Sequence, residues 1–261
     1  MTDLWRLAPP AGSRLAVVGG CGGIGTRLVE AALAAGIQVA NMDLHASIRR
    51  RPALDGEWQL PFAGPGEDDI AQAFDAIGKA WGALDGVVHL AGFTPPPSPL
   101  RNTRAATWDE VMNVNLRSAY LTACHALPLL DKGEEAALVF TSSGLSVSAD
   151  RGVGPYAAAK AALNALTRTL AKENAPAIRV NAVAPGPIET AFLSGGIGRG
   201  GEVGSNRGWF AQARQQIEST IPQGRVGVPD DVVGPMLFLL GPASRYMTGQ
   251  ILYVNGGRLM F

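Results

Sequence analysis

From Arg14 onward, short apolar runs rich in β-branched residues alternate with longer stretches in which apolar positions recur every three or four residues. A period near two marks a strand and one near 3.6 marks a helix, so this alternation predicts parallel strands joined by crossover helices. Leu15-Ala-Val-Val18 reads as the first strand and Gly19 to Gly25 as a turn. Thr26 to Ala35 follows as a helix, by the spacing of Leu28, Val29, Ala32 and Leu33, with Gly36 as its stop. Ile37 to Met42 makes a second strand ending at Asp43, and a helix over about Asp69 to Trp81 leads to a strand at Gly86 to Leu90. Ala137 to Thr141 and Ile178 to Ala182 are two more strands. The last unit runs from Pro229 through a helix at Val232 to Leu240 to a strand at Gln250 to Val254. The pattern therefore describes an α/β fold, a doubly wound parallel sheet of about seven strands with helices on both faces.

The helix from Tyr156 to Glu173 is Ala-rich and unbroken until Pro176, as expected of an element packed on a sheet face. Phe93 to Pro99 is loop, because proline lacks the donor that a helix or strand interior needs. Gly195 to Gly208 is glycine-rich and polar, and the span 192–222 reads as a mobile substrate loop. Arg49 to Arg51 reads as a solvated turn.

Composition narrows the classes of function. A length of 261 residues with 47% hydrophobic content suits a single domain, 1–261, around one sheet, its glycine-rich first unit lying at 13–43. Basic and acidic side chains balance at 22 each, which leaves no footprint for a nucleic-acid backbone. Two cysteines, Cys21 and Cys124, make no disulfide framework. The start carries no secretory pattern and no apolar run reaches about 18 residues, so a cytoplasmic protein without membrane contact is expected. No metal site is expected.

The candidate chemistry begins at the glycine cluster. A dinucleotide pyrophosphate needs free backbone N–H groups at the positive end of a helix and no Cβ in the way. The cluster satisfies Gly20-x-Gly22-x-x-Gly25 and also Gly19-x-x-x-Gly23-x-Gly25, so the pattern alone leaves the Rossmann subclass open. Asp43 stands eighteen residues beyond Gly25 at a strand end, near the spacing at which a carboxylate holds the adenosine ribose hydroxyls and repels a 2′-phosphate. NAD(H) is favoured over NADP(H) on that ground. Tyr156 and Lys160, four apart at the start of a helix, present both side chains on one face. The ammonium group, with an oxidised nicotinamide, is expected to pull the phenol pKa down toward the working range. Thr141-Ser-Ser143 follows a strand and so lies where ligand chemistry gathers in such sheets, with Ser142 competing with Ser143 for the role.

Together, Gly19-x-x-x-Gly23-x-Gly25, Asn115 in Asn113-Val-Asn-Leu116, Ser143, Tyr156-x-x-x-Lys160 and Pro185-Gly186 resemble the short-chain dehydrogenase/reductase family, over about Arg14 to Gly257. The resemblance implies a Rossmann-like fold and a tetrad. Tyr156 would exchange the proton with substrate oxygen, Ser143 would orient that oxygen, Lys160 would hold the nicotinamide ribose, and Asn115 would distort its helix to bind a relay water. It also places Gly19, Gly23, Ile24 and Gly25 at the pyrophosphate and Ala91-Gly92 beside the adenosine ribose. Pro185 and Gly186, with the Ile188 backbone and the Thr190 side chain, would lie along the nicotinamide. By serine-to-tyrosine spacing the family pattern selects Ser143. The family's usual threonine before the glycine motif is Val18 here, its Asn-Asn-Ala-Gly is His89-Leu-Ala-Gly92, and its adenine-contacting acid has no equivalent around Leu60 to Ala63. His89 reads as a core histidine. The implied activity is an NAD(H)-dependent interconversion of a secondary alcohol and a ketone. An NADPH-dependent 3-oxoacyl keto reductase and a non-catalytic dinucleotide-binding regulator are the rivals. A homotetramer is expected, with Leu259-Met-Phe261 buried against a neighbour.

Overall fold

The computed structural model describes residues 6–193 and 207–260. Seven parallel strands form one sheet in the order β3-β2-β1-β4-β5-β6-β7. The strands are β1 (Arg14–Val18), β2 (Gln38–Leu44), β3 (Glu57–Phe62), β4 (Gly86–His89), β5 (Ala137–Thr141), β6 (Arg179–Pro185) and β7 (Ile251–Val254). Strand alternation sends side chains to both faces, and each face has its own core. Leu15 and Val17 of β1 pack with α1 (Gly23–Ala34) and α9 (Pro229–Leu240), while Ala16 and Val18 belong to the core under α3 (Glu67–Trp81), α5 (Ser118–Leu130) and α7 (Gly154–Asn174).

The helices follow local rules. In α3, Ile70, Ala73, Phe74 and Ile77 form the buried stripe, Glu67 to Asp69 meet the positive end of the helix dipole, and Gly82 ends it in a left-handed conformation. Pro155 stands in the first turn of α7, where its missing N–H costs nothing. Between these lie α2 (His45–Arg50), α4 (Ala105–Met112) and a short α6 (Leu145–Ser148).

Three regions differ from the sequence reading. The period did not reveal β3, because it is an edge strand, half-exposed and interrupted by Pro61, and an edge tolerates a residue without an N–H. Arg49 to Arg51 is not a solvated turn. Arg49 and Arg50 close α2, and Arg51 turns inward to an ion pair with Glu57, whose side chain has no exposure. The span 192–222 includes α8 (Arg207–Glu218), and its stretch 194–206 lies outside the described residues, as do the side chains of Trp209 and Phe210. Among the described residues no helix is long and apolar enough to cross a membrane.

Strand order reverses between β1 and β4, so the carboxyl ends of these strands open a crevice on one edge of the sheet.

Candidate active site

A cavity of about 1070 Å³ runs along those carboxyl ends. Its floor is the β1–α1 turn. Gly19 has φ +90°, and a Cβ there would stand 2.8 Å from the Ala91 backbone nitrogen. At Gly25 a Cβ would meet the Gly19 carbonyl oxygen at 2.5 Å, so this close coil of backbone excludes any side chain. Gly22 precedes α1 with no side-chain cap, and no acidic residue occupies the first turn. The first amides of the helix, at Gly23, Ile24 and Gly25, therefore face the cavity with the positive end of the dipole behind them, which fits a dinucleotide pyrophosphate.

Asp43, at the end of β2, is buried at the cavity wall. Its Oδ2 accepts the Cys21 N–H at 2.8 Å and its Oδ1 accepts the Leu44 N–H at 2.7 Å. The carboxylate thus clamps the glycine turn to β2, and each oxygen keeps a lone pair for a ribose hydroxyl. Leu44, Ser47, Arg50, Phe62 and Ile70 continue this end. The sequence offered no distinct signal for the uncharged ones, and Arg50 belongs to the Arg49–Arg51 run read there as a solvated turn.

At the other end, the β5–α6 segment and α7 converge. The Tyr156 phenol lies close enough to the Ser143 hydroxyl for that group to lower its pKa. Lys160 lies 5.6 Å from the centre of the Tyr156 ring, and its Nζ donates to the Thr141 carbonyl at 2.8 Å. Ser142 points elsewhere, its hydroxyl donating to Asn164 Oδ1 at 2.5 Å. Phe192 packs against Tyr156 with ring centroids 6.0 Å apart.

Asn115 sits in a π-helical turn, Asn113–Arg117, between α4 and α5. Its Nδ2 donates to the carbonyls of Phe93 (2.8 Å) and Val111 (3.0 Å), while its Oδ1 accepts the Phe93 N–H at 3.2 Å. The helix is therefore distorted where the resemblance implied, and the side chain ties it to the loop after β4. Gly92, implied beside the adenosine ribose, stands next to this group: a Cβ there would lie 2.7 Å from Asn115 Oδ1 and 3.4 Å from Lys160 Nζ. Pro185, Gly186, Ile188 and Thr190 line the cavity beyond β6, with the Thr190 methyl against the Gly23 side of the turn.

Burial dominates the electrostatics of the pair. Burial pushes the Tyr156 phenol up to about 12, against a smaller lowering by Ser143. The same burial brings Lys160 down to about 7. Desolvation disfavours the charged form of both groups, whereas the expected lowering of the phenol depends on an oxidised nicotinamide as well as on the amine. At neutral pH the phenol holds its proton.

His89, at the end of β4, is fully buried. Its Nε2 lies 2.9 Å from Ser118 Oγ, and that hydroxyl donates to the Val114 carbonyl at 2.7 Å. Burial, and then the charge of Lys160, push the imidazole down to about 3.

A family model described as enoyl-(acyl carrier protein) reductase matches residues 19–258. The chain is 35% identical to carbonyl reductase family member 4 of Danio rerio, covering 94% of this chain and 98% of that protein. It is 34% identical to the 3-oxoacyl-[acyl-carrier-protein] reductase FabG of Thermotoga maritima, covering 73% of this chain and 72% of that one. Among solved structures, a 3-ketoacyl-(acyl-carrier-protein) reductase from Brucella melitensis complexed with NADH superposes with a TM-score of 0.84 at 26% identity, covering 96% of this chain and 99% of that one.

Proposed function

The chain belongs to the short-chain dehydrogenase/reductase family, and from that premise we propose that it interconverts a secondary alcohol and a ketone using NAD(H). The observation that carries this reading is the convergence of Ser143, Tyr156 and Lys160 on the cavity that the glycine turn also lines, with Asn115 buried against Gly92 of its wall.

Bound nicotinamide dinucleotide supplies the hydride that the protein cannot. The chain's own residues manage position and protons. Gly19, Gly23, Ile24 and Gly25 hold the pyrophosphate, Asp43 the adenosine ribose, and Ala91 to Gly92 with Pro185 to Thr190 the wall toward the nicotinamide. Ser143 donates to the substrate oxygen and fixes its direction. Tyr156, protonated at neutral pH, gives its proton to that oxygen in reduction and takes one back in oxidation. Lys160, held beside the phenol ring by its bond to the Thr141 carbonyl, would hold the nicotinamide ribose, and the Asn115 turn fixes the loop that bounds the pair.

Replacing Tyr156 by Phe lowers turnover by about 10²- to 10⁴-fold while cofactor binding is kept, followed by nicotinamide absorbance over a panel of alcohols and ketones. Near-normal turnover in that variant rejects the mechanism. The reductase relatives favour one second reading, a 3-oxoacyl keto reductase, which the sequence reading pairs with NADPH. Asp43 at the cavity wall weighs against the phosphorylated cofactor, and rates on acetoacetyl thioester with each cofactor decide between the two.

A homotetramer in a cytoplasmic setting completes the reading. Met260 is 80% exposed, an apolar side chain for a neighbouring subunit to cover, and light scattering that returned a monomeric mass would contradict the assembly.

A further inference from the structure

Resting on the alcohol–ketone reading, we infer that the substrate carries an anionic group at the end away from its reacting carbon, and that Arg151 and Arg258 receive it at the mouth of the cavity.

Both arginines line the cavity at the Ser143–Tyr156 end. Arg151 belongs to the loop entering α7, five residues before Tyr156, so at most about 18 Å of extended chain separates them. Arg258 belongs to the C-terminal turn that Asn255 knits together. The Asn255 Nδ2 donates to the Leu259 carbonyl at 3.1 Å, and its Oδ1 accepts the Gly257 N–H at 2.9 Å. Leu259, next in sequence, brings a Cδ1 to within 3.0 Å of where a Cβ on Gly144 would stand, one residue beyond Ser143. The turn is therefore seated on the catalytic strand end, and Arg258 is carried there with it.

Charge singles these residues out. The chain as a whole is neutral, with 22 basic and 22 acidic side chains. The described residues lining the cavity nevertheless set Lys160 and several arginines against Asp43 and Asp150 alone. Asp43 and the arginines of the α2 region lie at the adenosine end, where Arg51 is answered by Glu57. At the substrate end Arg258 meets Asp150 only at 3.5 Å, with that aspartate 46% exposed. No carboxylate among the described residues forms an ion pair with Arg151. One cation thus stands without a partner and a second is loosely held, above a wall made apolar by Leu145, Val153 and Phe192. Guanidinium forks bind carboxylate or phosphate with two parallel hydrogen bonds, which an exposed 3.5 Å pair readily yields to. The substrate that fits has a carbonyl or carbinol carbon, an apolar spacer and a terminal anion. The carboxylate of a small oxo acid and the phosphate of a carrier-linked acyl chain share that chemistry.

The test measures kcat/KM with NADH on methyl ketones ending in carboxylate, 4-oxopentanoate and its longer homologues, against their methyl esters. A second arm sets acetoacetyl-coenzyme A against acetoacetyl-N-acetylcysteamine. The anionic member of one arm is preferred by about tenfold or more, which identifies the source, and added salt shrinks the preference. In the Arg151→Gln/Arg258→Gln protein the ratio falls toward one, chiefly through KM; Arg151→Gln alone, at an exposed position, serves should the pair not fold. A wild-type ratio at or below one in both arms overturns the inference, as does a preference that survives the substitutions. Turnover of neutral alcohols with no anionic preference defeats this inference while leaving the alcohol–ketone reading in place. Inertness toward every substrate by a protein that still binds NADH defeats both.

Discussion

Lowering the pH from 7 to 5 removes a defined part of the stability through one imidazole. Ser118 has a single hydroxyl proton and gives it to the Val114 carbonyl at 2.7 Å, so His89 must be the donor in the 2.9 Å contact between Nε2 and that oxygen. The neutral ring is therefore held with its proton on Nε2, buried, with Nδ1 lacking a hydrogen-bond partner. Its pKa is about 3 in the folded chain against an ordinary 6.5, with burial the main cause and Lys160 the second. The unfolded chain binds this proton first, so the contribution is complete above about 6.5 and is lost as pH falls from there toward 3. Integrated from pH 7 to pH 5, the loss is about 2 kcal/mol, a large share of a stability of about 5–15 kcal/mol. Glu57 and Asp85, whose carboxyls are lowered by Arg51 and Arg14 against their burial, titrate below this window. Lys160, at about 7, adds a smaller loss of the same sign that a His89 variant retains. Urea unfolding at both pH values, at one protein concentration, reads the effect as a midpoint shift of about 1 M for an m-value of about 2 kcal/mol/M. His89→Asn starts less stable but loses most of this pH dependence. Equal wild-type stability at the two pH values, or an equal loss in the variant, refutes the reasoning.

Gly25→Ala forces a methyl to 2.5 Å from the Gly19 carbonyl and 2.6 Å from Gly20 Cα, backbone atoms that cannot step aside. It costs about 1–3 kcal/mol in thermal unfolding and weakens NADH binding at least about tenfold by fluorescence titration; wild-type affinity contradicts the assigned turn. Ser143→Ala lowers turnover by roughly 10²-fold, whereas Ser142→Ala leaves turnover within a few-fold and costs about 1–3 kcal/mol, because Asn164 Oδ1 loses its buried donor. Equal kinetic effects of the two serines would reverse the roles assigned to them. Asp43→Ser removes the acceptor of the Cys21 N–H and the charge that repels a 2′-phosphate, so the ratio of NADPH to NADH dissociation constants falls at least about tenfold; an unchanged ratio places the discrimination elsewhere.

Short-range chemistry was legible in the chain before any coordinates. The β1–turn–α1 unit, the stripe of α3 and the pairing of Tyr156 with Lys160 on one face of α7 all follow from rules that act within a turn or two of helix or strand. Edge strand β3 escaped because half-exposed strands lose their alternation and Pro61 imitates a break. Other decisions needed distant segments. Asn164 of α7 draws Ser142 away and leaves Ser143 to Tyr156, and the Phe93 backbone meets Asn115 across the end of β4. Glu57 of β3 turns Arg51 inward. The phenol's rise to about 12 and the amine's fall to about 7 belong to this second class. A motif records which charges are near one another along a helix, but the water they lose is removed by the packing of several elements, and desolvation outweighs the attraction that spacing alone suggests.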